Sequence, residues 1–197
     1  MTNGYLFREY IGAQSTGVKF SDVPINGNLS FHFILAFAID YTPLNQQPTP
    51  TPTNGVFHPF WDTAALSPAA VAAVKRAHPN TYWLDGVDVD YEHFAPNADV
   101  NTFVECFYGY GDNTDVRLYV RFYDEQAANY PGGKVLSSFL TGDTTGLISP
   151  DLGISAAREL QRQNKLPGLF IWSADSSKKS SYGFKYETQG QQIIANH

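Results

Sequence analysis

Four carboxylates within eight positions carry the strongest chemical signal in the sequence. They are Asp85, Asp88, Asp90 and Glu92, in the stretch LDGVDVDYEHF. The valine and tyrosine residues between them favour β-strands. Side chains two positions apart lie on the same face of a strand, so Asp88, Asp90 and Glu92 are predicted to share one face.

Such an arrangement is costly unless the carboxyl groups share protons. Neighbouring carboxylates on this face would lie about 6.6 Å apart, and each ionised pair would then cost about 2.5 kcal/mol at an effective dielectric constant of about 20. Three such groups on a covered face cannot all remain ionised. One carboxyl group with a raised pKa, tuned by its neighbours, is typical of acid-base catalysis.

Two other interpretations of these acids stay open on the residues alone. An exposed edge strand with a solvated acidic face would show the same alternation. A calcium or magnesium site would also use carboxylates, although the stretch lacks the glycine, asparagine and backbone-carbonyl spacing of a loop site.

Composition predicts one globular domain over residues 1–197, because the chain is long enough to bury a substantial core and is 43% hydrophobic. A net charge of −6 argues against nucleic acid and anionic membranes as partners. The single cysteine, Cys106, excludes an internal disulfide and a Cys-based zinc site. Residues 31–39 form the longest apolar stretch, which is too short to span a bilayer, and the first ten residues lack the pattern of a secretory signal peptide.

Strand-like and helix-like segments alternate along the chain, which predicts an α/β fold with a parallel sheet. The predicted strands cover residues 5–13, 29–40, 84–94, 107–111, 132–140 and 166–175. The predicted helices cover residues 67–78, 97–106, 115–130, 150–165 and 186–197, and a loop covers residues 42–55. Ser67 and Pro68 mark the start of the first helix with particular clarity.

The acidic stretch resembles a known signature. DGVDVDYE is similar to the Asp-x-x-Asp-x-Asp-x-Glu motif of family 18 glycoside hydrolases, the chitinases and their relatives, and all four acidic positions match. Other stretches resemble plant class III chitinases, particularly those of bulbs: LFREYIGA, VPINGNLSFHFILAFAIDYT, NGVFHPFWDT, LSPAAVAAVKRAH and FIWSAD. The resemblance implies a (β/α)₈ TIM barrel whose site lies at the C-terminal ends of the strands.

The resemblance also implies roles for individual residues. Glu92 would protonate the glycosidic oxygen, Asp90 would orient the acetamido group of the substrate, and Asp88 would hold or exchange a proton with Asp90. Tyr108 would hydrogen-bond the acetamido oxygen. Three strand-end aromatic residues would contact sugar, although each residue type is also common in a packed core: Trp172, Tyr10 and Phe37.

The chain departs from the family pattern at two places. Between KRAHPN and LDGVDVDYE the relatives have a further strand, with a Ser-x-Gly-Gly motif, and a further helix, whereas here only residues 81–83 intervene. Between FVEC and FYGYG another strand-and-helix unit is missing. The six predicted strands therefore indicate an incomplete barrel, in which the strand at 84–94 lies beside the strand at 29–40. We expect a monomer, with association between copies if the barrel is open and its edges are exposed.

The function predicted from the sequence is hydrolysis of chitin, a β-1,4-linked N-acetylglucosamine polymer, by a substrate-assisted retaining mechanism without a metal or other cofactor. The alternative is a non-catalytic chitinase-like lectin or a glycosidase inhibitor. The retained Glu92 favours the enzyme, and the missing units favour the alternative. A storage protein with a vestigial site is a third interpretation. By resemblance, the location would be extracellular or vacuolar and the role plant defence.

Overall fold

The computed structural model describes residues 6–42, 49, 51–79, 81–83, 115–129, 134–142 and 148–196. The strands in these residues are β1 (Leu6–Ile11), β2 (Ser30–Leu35), β3 (Ala38–Ile39), β4 (His58–Pro59), β5 (Thr81–Trp83), β6 (Ser137–Leu140) and β7 (Gly168–Trp172). The helices are α1 (Pro68–Ala77), α2 (Val116–Asn129), α3 (Pro150–Arg162), α4 (Ala174–Lys179) and α5 (Lys185–Ala195), with a short 3₁₀ helix at Phe20–Asp22.

Five strands form a parallel sheet in the order β5-β2-β1-β7-β6. The α/β prediction with a parallel sheet is therefore confirmed. Within the described residues the sheet is open, with β5 and β6 as its outer strands. The strands β3 and β4 form a separate antiparallel hairpin. No helix in the described part of the chain combines the length and the apolar character that crossing a membrane requires.

The main hydrophobic core lies between one face of this sheet and the helices. Phe7, Leu169 and Ile171 are fully buried there and belong to one cluster with residues of α3 and α5. The helix α5 lies close to the sheet because it has Gly190 at the contact, where a Cβ atom would come within 3.1 Å of Leu169 and 3.2 Å of Phe7. On the opposite face of β1 and β7 lies a second hydrophobic cluster, which is mainly aromatic.

The helix predictions within the described residues are confirmed. The predicted segments 67–78, 115–130, 150–165 and 186–197 correspond to α1, α2, α3 and α5. The cap of α1 forms as expected, because the Ser67 hydroxyl accepts a hydrogen bond from the Ala70 amide at 3.3 Å and Pro68 occupies the first helical position. A capping residue satisfies an amide that has no partner inside the helix, which is why this signal is readable from sequence.

Four predicted strands have wrong boundaries. The segment 5–13 ends at Ile11, because Gly12 and Ala13 turn away from the strand. The segment 29–40 leaves the sheet after Leu35, because β1 offers no partner beyond Ile11, and β3 pairs with β4 instead. The segment 166–175 ends at Trp172, where Ser173 caps α4 by accepting a hydrogen bond from the Ser176 amide at 3.4 Å. The segment 132–140 is a strand only from Ser137 onwards.

The strand β5 leads directly into the acidic stretch. It pairs in parallel with β2, with Thr81 opposite Phe31 and Trp83 opposite Phe33. The predicted strand at 84–94 begins where the described residues stop, and the elements predicted at 97–106 and 107–111 also lie outside them. Those three elements therefore stay predictions. The position beside β2, which the sequence assigned to the motif-bearing strand, is held by the three residues that precede it.

Candidate active site

Three aromatic side chains meet at the carboxyl ends of adjacent strands. Tyr10 comes from β1, Phe37 follows β2 by two residues, and Trp172 is the last residue of β7. The ring centroids of Tyr10 and Trp172 are 4.7 Å apart, and those of Phe37 and Trp172 are 5.7 Å apart. Parallel strands place their carboxyl ends at one edge of a sheet, so the order β2-β1-β7 brings these distant residues together.

The three rings differ in exposure. Tyr10 is buried and also packs against Phe170, with 5.1 Å between the ring centroids. Phe37 and Trp172 are half-buried, so part of each ring is accessible. The peptide bonds Ala36–Phe37 and Trp172–Ser173 are both cis. The structure thus assembles the three predicted sugar-contacting residues, with Tyr10 supporting the two accessible rings, while their contact with sugar stays a prediction.

A buried carboxylate ties the first strand of this cluster to the last. The Oδ2 atom of Asp175 accepts a hydrogen bond from the Gly12 amide at 2.6 Å, just after β1. Its Oδ1 atom accepts from the Thr16 hydroxyl at 2.8 Å and, at longer range, from the amides of Gln14 (3.4 Å) and Thr16 (3.5 Å). Because Asp175 is the second residue of α4, three positions after Trp172 at the end of β7, this network fixes the ends of β1 and β7 relative to each other.

Two further buried glutamates lie beneath the sheet, on the side of the helices. Glu9 of β1 and Glu187 of α5 are both fully buried. The Ser177 hydroxyl lies within hydrogen-bonding distance of two acceptors, Oε1 of Glu187 and the Thr141 hydroxyl at 2.6 Å, and its single proton serves one of them at a time. Within the part of the chain that the structure describes, three buried carboxyl oxygens lack a hydrogen-bond partner. They are both oxygens of Glu9 and Oε2 of Glu187.

These environments favour the protonated form of both glutamates. Burial raises the pKa of Glu187 from its ordinary 4.5 to about 7. Burial also raises the pKa of Glu9 well above its ordinary value, and the charges of Glu187 and Asp175 raise it further. A neutral carboxylic acid avoids the desolvation cost of a buried charge. The pair therefore links folding to proton uptake.

We expect the stability of the protein to fall as the pH rises from about 5 to about 8. The folded chain keeps the Glu187 proton up to about pH 7, whereas the unfolded chain releases it near 4.5. The stabilisation is therefore complete below the pKa of Glu187 in the unfolded chain. It is lost as the pH rises through the pKa of Glu187 in the folded chain. For Glu187 alone the loss amounts to about 3 kcal/mol.

The change Glu187→Gln tests this expectation, because Gln keeps an acceptor for Ser177 and does not titrate. Urea unfolding at pH 5 and pH 8 should show a smaller fall in the free energy of unfolding than in the parent. Glu125→Gln is the matched control, since Glu125 is an exposed residue of α2 paired with Arg121 at 3.4 Å. Equal falls in the parent and in Glu187→Gln would contradict the linkage.

The acidic motif itself lies outside the described residues. This holds for Asp85, Asp88, Asp90 and Glu92, and also for Tyr108. Their roles stay predictions. The described chain reaches Trp83, the end of β5, two residues before the first of these acids. In the described parts of the chain, no group of three His, Cys, Asp or Glu residues is arranged to hold a metal ion.

Sequence reasoning missed Asp175, Glu9 and Glu187. Asp175 carried a local signal, since an acid two residues after Ser173 is typical of a helix start. Glu9 carried a weaker signal, because it is a charged residue in the middle of a predicted strand, and strands of a parallel sheet are usually covered on both faces. Glu187 lies in the first turn of α5, where an acidic residue is common and does not indicate that the side chain is buried.

The arrangement defines a class of protein: an α/β fold whose parallel strands carry an aromatic platform, formed by Tyr10, Phe37 and Trp172, at their carboxyl ends. The sequence is 38% identical, over an alignment of 285 residues, to Chitinase 1 from Tulipa saxatilis subsp. bakeri, and the match covers 100% of this chain and 89% of the tulip protein. No protein-family model matches the chain. The alignment is longer than the 197 residues of the chain, so the tulip protein has residues without a counterpart here, as the missing units predict.

Two crystal structures resemble the fold. The catalytic domain of a family GH18 chitinase from the fern Peteris ryukyuensis superimposes with a TM-score of 0.83 at 34% identity. A family 18 chitinase from Crocus vernus superimposes with a TM-score of 0.83 at 32% identity. Each comparison covers 96% of this chain and 99% of the other. The chain belongs to the family 18 glycoside hydrolases, the chitinase family, and has their TIM-barrel type of fold.

Proposed function

We propose that this protein hydrolyses chitin or related β-1,4-linked N-acetylglucosamine oligosaccharides. The observation that carries the proposal is the aromatic platform of Phe37, Tyr10 and Trp172 at the strand ends, in a chain that retains the complete acidic motif. The names of the tulip, fern and crocus relatives support the same activity. Their plant origin is consistent with a role in plant defence.

In the proposed reaction, Glu92 donates its proton to the glycosidic oxygen as the bond from that oxygen to the anomeric carbon breaks. The acetamido oxygen of the same sugar forms a bond to the anomeric carbon, which gives a cyclic oxazolinium ion. Asp90 orients the acetamido group and balances the positive charge, and Asp88 exchanges a proton with Asp90. Tyr108 hydrogen-bonds the acetamido oxygen. Water then opens the ring, with Glu92 accepting a proton, and the configuration at the anomeric carbon is retained.

The described residues would contribute binding and orientation. A pyranose ring has an apolar face that stacks on aromatic side chains, and Trp172 and Phe37 present accessible ring surface. Tyr10 is buried behind them and limits their movement. Holding the reacting sugar in one orientation places its acetamido group and its glycosidic oxygen at fixed positions. Proximity of this kind accounts for a large share of enzymatic rate acceleration.

The direct test is release of a chromophore from a chitobioside or a chitotrioside by the purified protein, over a series of pH values. Turnover above that of a heat-inactivated sample supports the proposal. A protein that binds the oligosaccharides but shows no turnover at any pH would instead be a lectin.

Trp172→Ala is expected to weaken the binding of chitotetraose about tenfold to a hundredfold, because it removes the accessible stacking surface. The change in tryptophan fluorescence on adding chitotetraose should disappear in the same variant. Trp61→Phe is the control, since Trp61 packs against the main core and the variant should keep most of the fluorescence change. An unaltered titration in Trp172→Ala would place the sugar elsewhere.

A further inference from the structure

The buried pair of Glu9 and Glu187 lies directly behind the aromatic platform. Glu9 comes immediately before Tyr10 in β1, and consecutive residues of a strand point to opposite faces. Tyr10 therefore belongs to the platform, while Glu9 points to the helices. Both glutamates are fully buried, and three of their four carboxyl oxygens have no hydrogen-bond partner within the described residues. Such atoms are uncommon in native proteins, which points to a role of the pair besides packing.

The neighbours of Glu9 are either apolar or acidic. In the sheet it lies between Phe33 of β2 and Ile171 of β7. From the helices, the charges that act on it are those of Glu187 in α5 and Asp175 in α4. A proton on Glu9 is thus the simplest way to avoid a buried charge next to other acids.

The two lysines of α4 bond to residues outside this group of acids. The Nζ atom of Lys178 donates to Asp22 at 2.7 Å, and that of Lys179 donates to Gln14 at 3.4 Å. Asp175 itself accepts the hydrogen bond from the Gly12 amide at 2.6 Å that joins the ends of β1 and β7. A negative charge on Glu9 would therefore repel the carboxylate on which this junction depends.

A chain of hydrogen bonds connects Glu187 to the other side of the platform. The Ser177 hydroxyl lies between Oε1 of Glu187 and the Thr141 hydroxyl. The Thr141 amide donates to the Trp172 carbonyl at 2.8 Å, and the Thr141 hydroxyl donates to the Ser173 carbonyl at 3.2 Å. The pair is thus connected to Tyr10 along β1 and to Trp172 through this chain.

The helix α5 leaves little space for water at the pair. Gly190 follows Glu187 by three positions and so lies on the same side of the helix. A Cβ atom at Gly190 would come within 3.1 Å of Leu169 and 3.2 Å of Phe7. Two ionised glutamates could not be hydrated in so close a contact unless α5 moved away from the sheet.

We propose that Glu9 and Glu187 are positioning residues of the aromatic platform, which hold Tyr10 and Trp172 in place for the sugar only while the pair keeps its protons. The inference rests on the proposed function, because it concerns the same platform. When the pair ionises, Glu9 repels Asp175, α5 moves away from β1, and the ends of β1 and β7 are no longer held together. The affinity for oligosaccharides then falls while the chain remains folded.

The direction of the pH dependence follows from burial. Burial raises the pKa of Glu187 to about 7, and it raises the pKa of Glu9 well above its ordinary value. The platform is therefore complete at pH 5 and is loosened as the pH rises through about 7. We expect the parent to bind chitotetraose about fivefold to tenfold more weakly at pH 8 than at pH 5, which is the range that one proton released near pH 7 can produce.

The experiment is a fluorescence titration of chitotetraose at pH 5 and pH 8 in the parent, Glu9→Gln and Glu187→Gln. Circular dichroism verifies that each protein is folded at both pH values. The two Gln variants stay neutral at the substituted position, so their affinity should change by about twofold or less. Glu125→Gln is the matched control, because Glu125 is an exposed residue of α2, and it should show the change of the parent. Glu92→Gln should also show that change, because Glu92 is not part of the pair.

The other outcomes separate this inference from the proposed function. A parent with the same affinity at both pH values would overturn the inference and leave the proposed function intact, and this measurement decides even if a Gln variant does not fold. Two folded Gln variants that weaken as much as the parent would overturn it as well. A change that disappears in Glu92→Gln would belong to the acidic motif and would also overturn it. A parent that neither binds chitotetraose nor cleaves a chitotrioside at any pH would overturn the proposed function itself.

Discussion

Glu92→Gln is expected to remove nearly all turnover of a chitotrioside while leaving oligosaccharide binding largely intact. Gln has the shape of Glu but cannot donate the proton that the leaving oxygen needs. General acid catalysis contributes about 10²–10⁴-fold to the rate, so a loss of this size is expected. Asp90→Asn should also lower the rate, because it alters the group that orients the acetamido oxygen and the proton sharing behind Glu92.

The measurement is chromophore release over a pH series, combined with a fluorescence titration of chitotetraose in the same variant. Glu125→Gln, the exposed substitution on α2, is the control and should keep the activity of the parent. Trp172→Ala differs from Glu92→Gln, because its binding of chitotetraose should weaken. A Glu92→Gln protein as active as its parent would rule out the proposed acid and with it the proposed mechanism.

Asp175→Ala should destabilise the folded protein by about 3 to 5 kcal/mol. The change removes a buried carboxylate that accepts hydrogen bonds from Gly12, Gln14 and Thr16, and it leaves the buried Gly12 amide without its acceptor. Relief of the repulsion between Asp175 and Glu9 offsets a small part of this loss, because burial already favours the neutral form of Glu9. Chitotetraose binding should weaken as well, since the ends of β1 and β7 are no longer fixed together.

Urea unfolding of the parent and the variant measures the first effect, and the fluorescence titration measures the second. Asp151→Ala is a close control, because Asp151 is also an acid at the start of a helix but its side chain is 75% exposed and lies 3.5 Å from Lys185. It should change the free energy of unfolding by about 0.5 kcal/mol or less. A similarly small change in Asp175→Ala would show that the two strand ends are held by other contacts.

The parts of the fold that the sequence predicted well are those with local signals. Ser67-Pro68 and Ser149-Pro150 each place a capping hydroxyl before a proline at the first helical position, and both helices begin there. The aromatic residues at positions 10, 37 and 172 were predicted as strand-end residues by resemblance, and the strand order brings them together. Local signals and the family resemblance were sufficient for these features, whereas the strand order itself comes from the structure.

The remaining features depend on contacts between distant parts of the chain. The end of β2 was misplaced because it is set by where β1 stops and by the pairing of the following residues, in β3, with β4. The role of Asp175 was missed because its partners lie about 160 positions earlier in the sequence. The burial of Glu187 depends on how α5 packs against β1 and β7, which a sequence pattern with an ordinary first-turn acid does not reveal.

The pairing of β1 with β7 also determines how late in synthesis this part of the sheet can form. Leu6 lies opposite Gly168, and the hydrogen bond from Gly12 to Asp175 joins residues 163 positions apart. A ribosome adds about 5–20 residues per second, so β1 waits roughly 10 to 30 seconds for its second neighbour to emerge. During this interval β1 has only β2 beside it, and the apolar surface around Phe7 lacks the cover of α5. The aromatic platform is thus completed only after Trp172 has been synthesised, and until then we expect the nascent chain to be most prone to aggregation on the side of β1 that later receives β7.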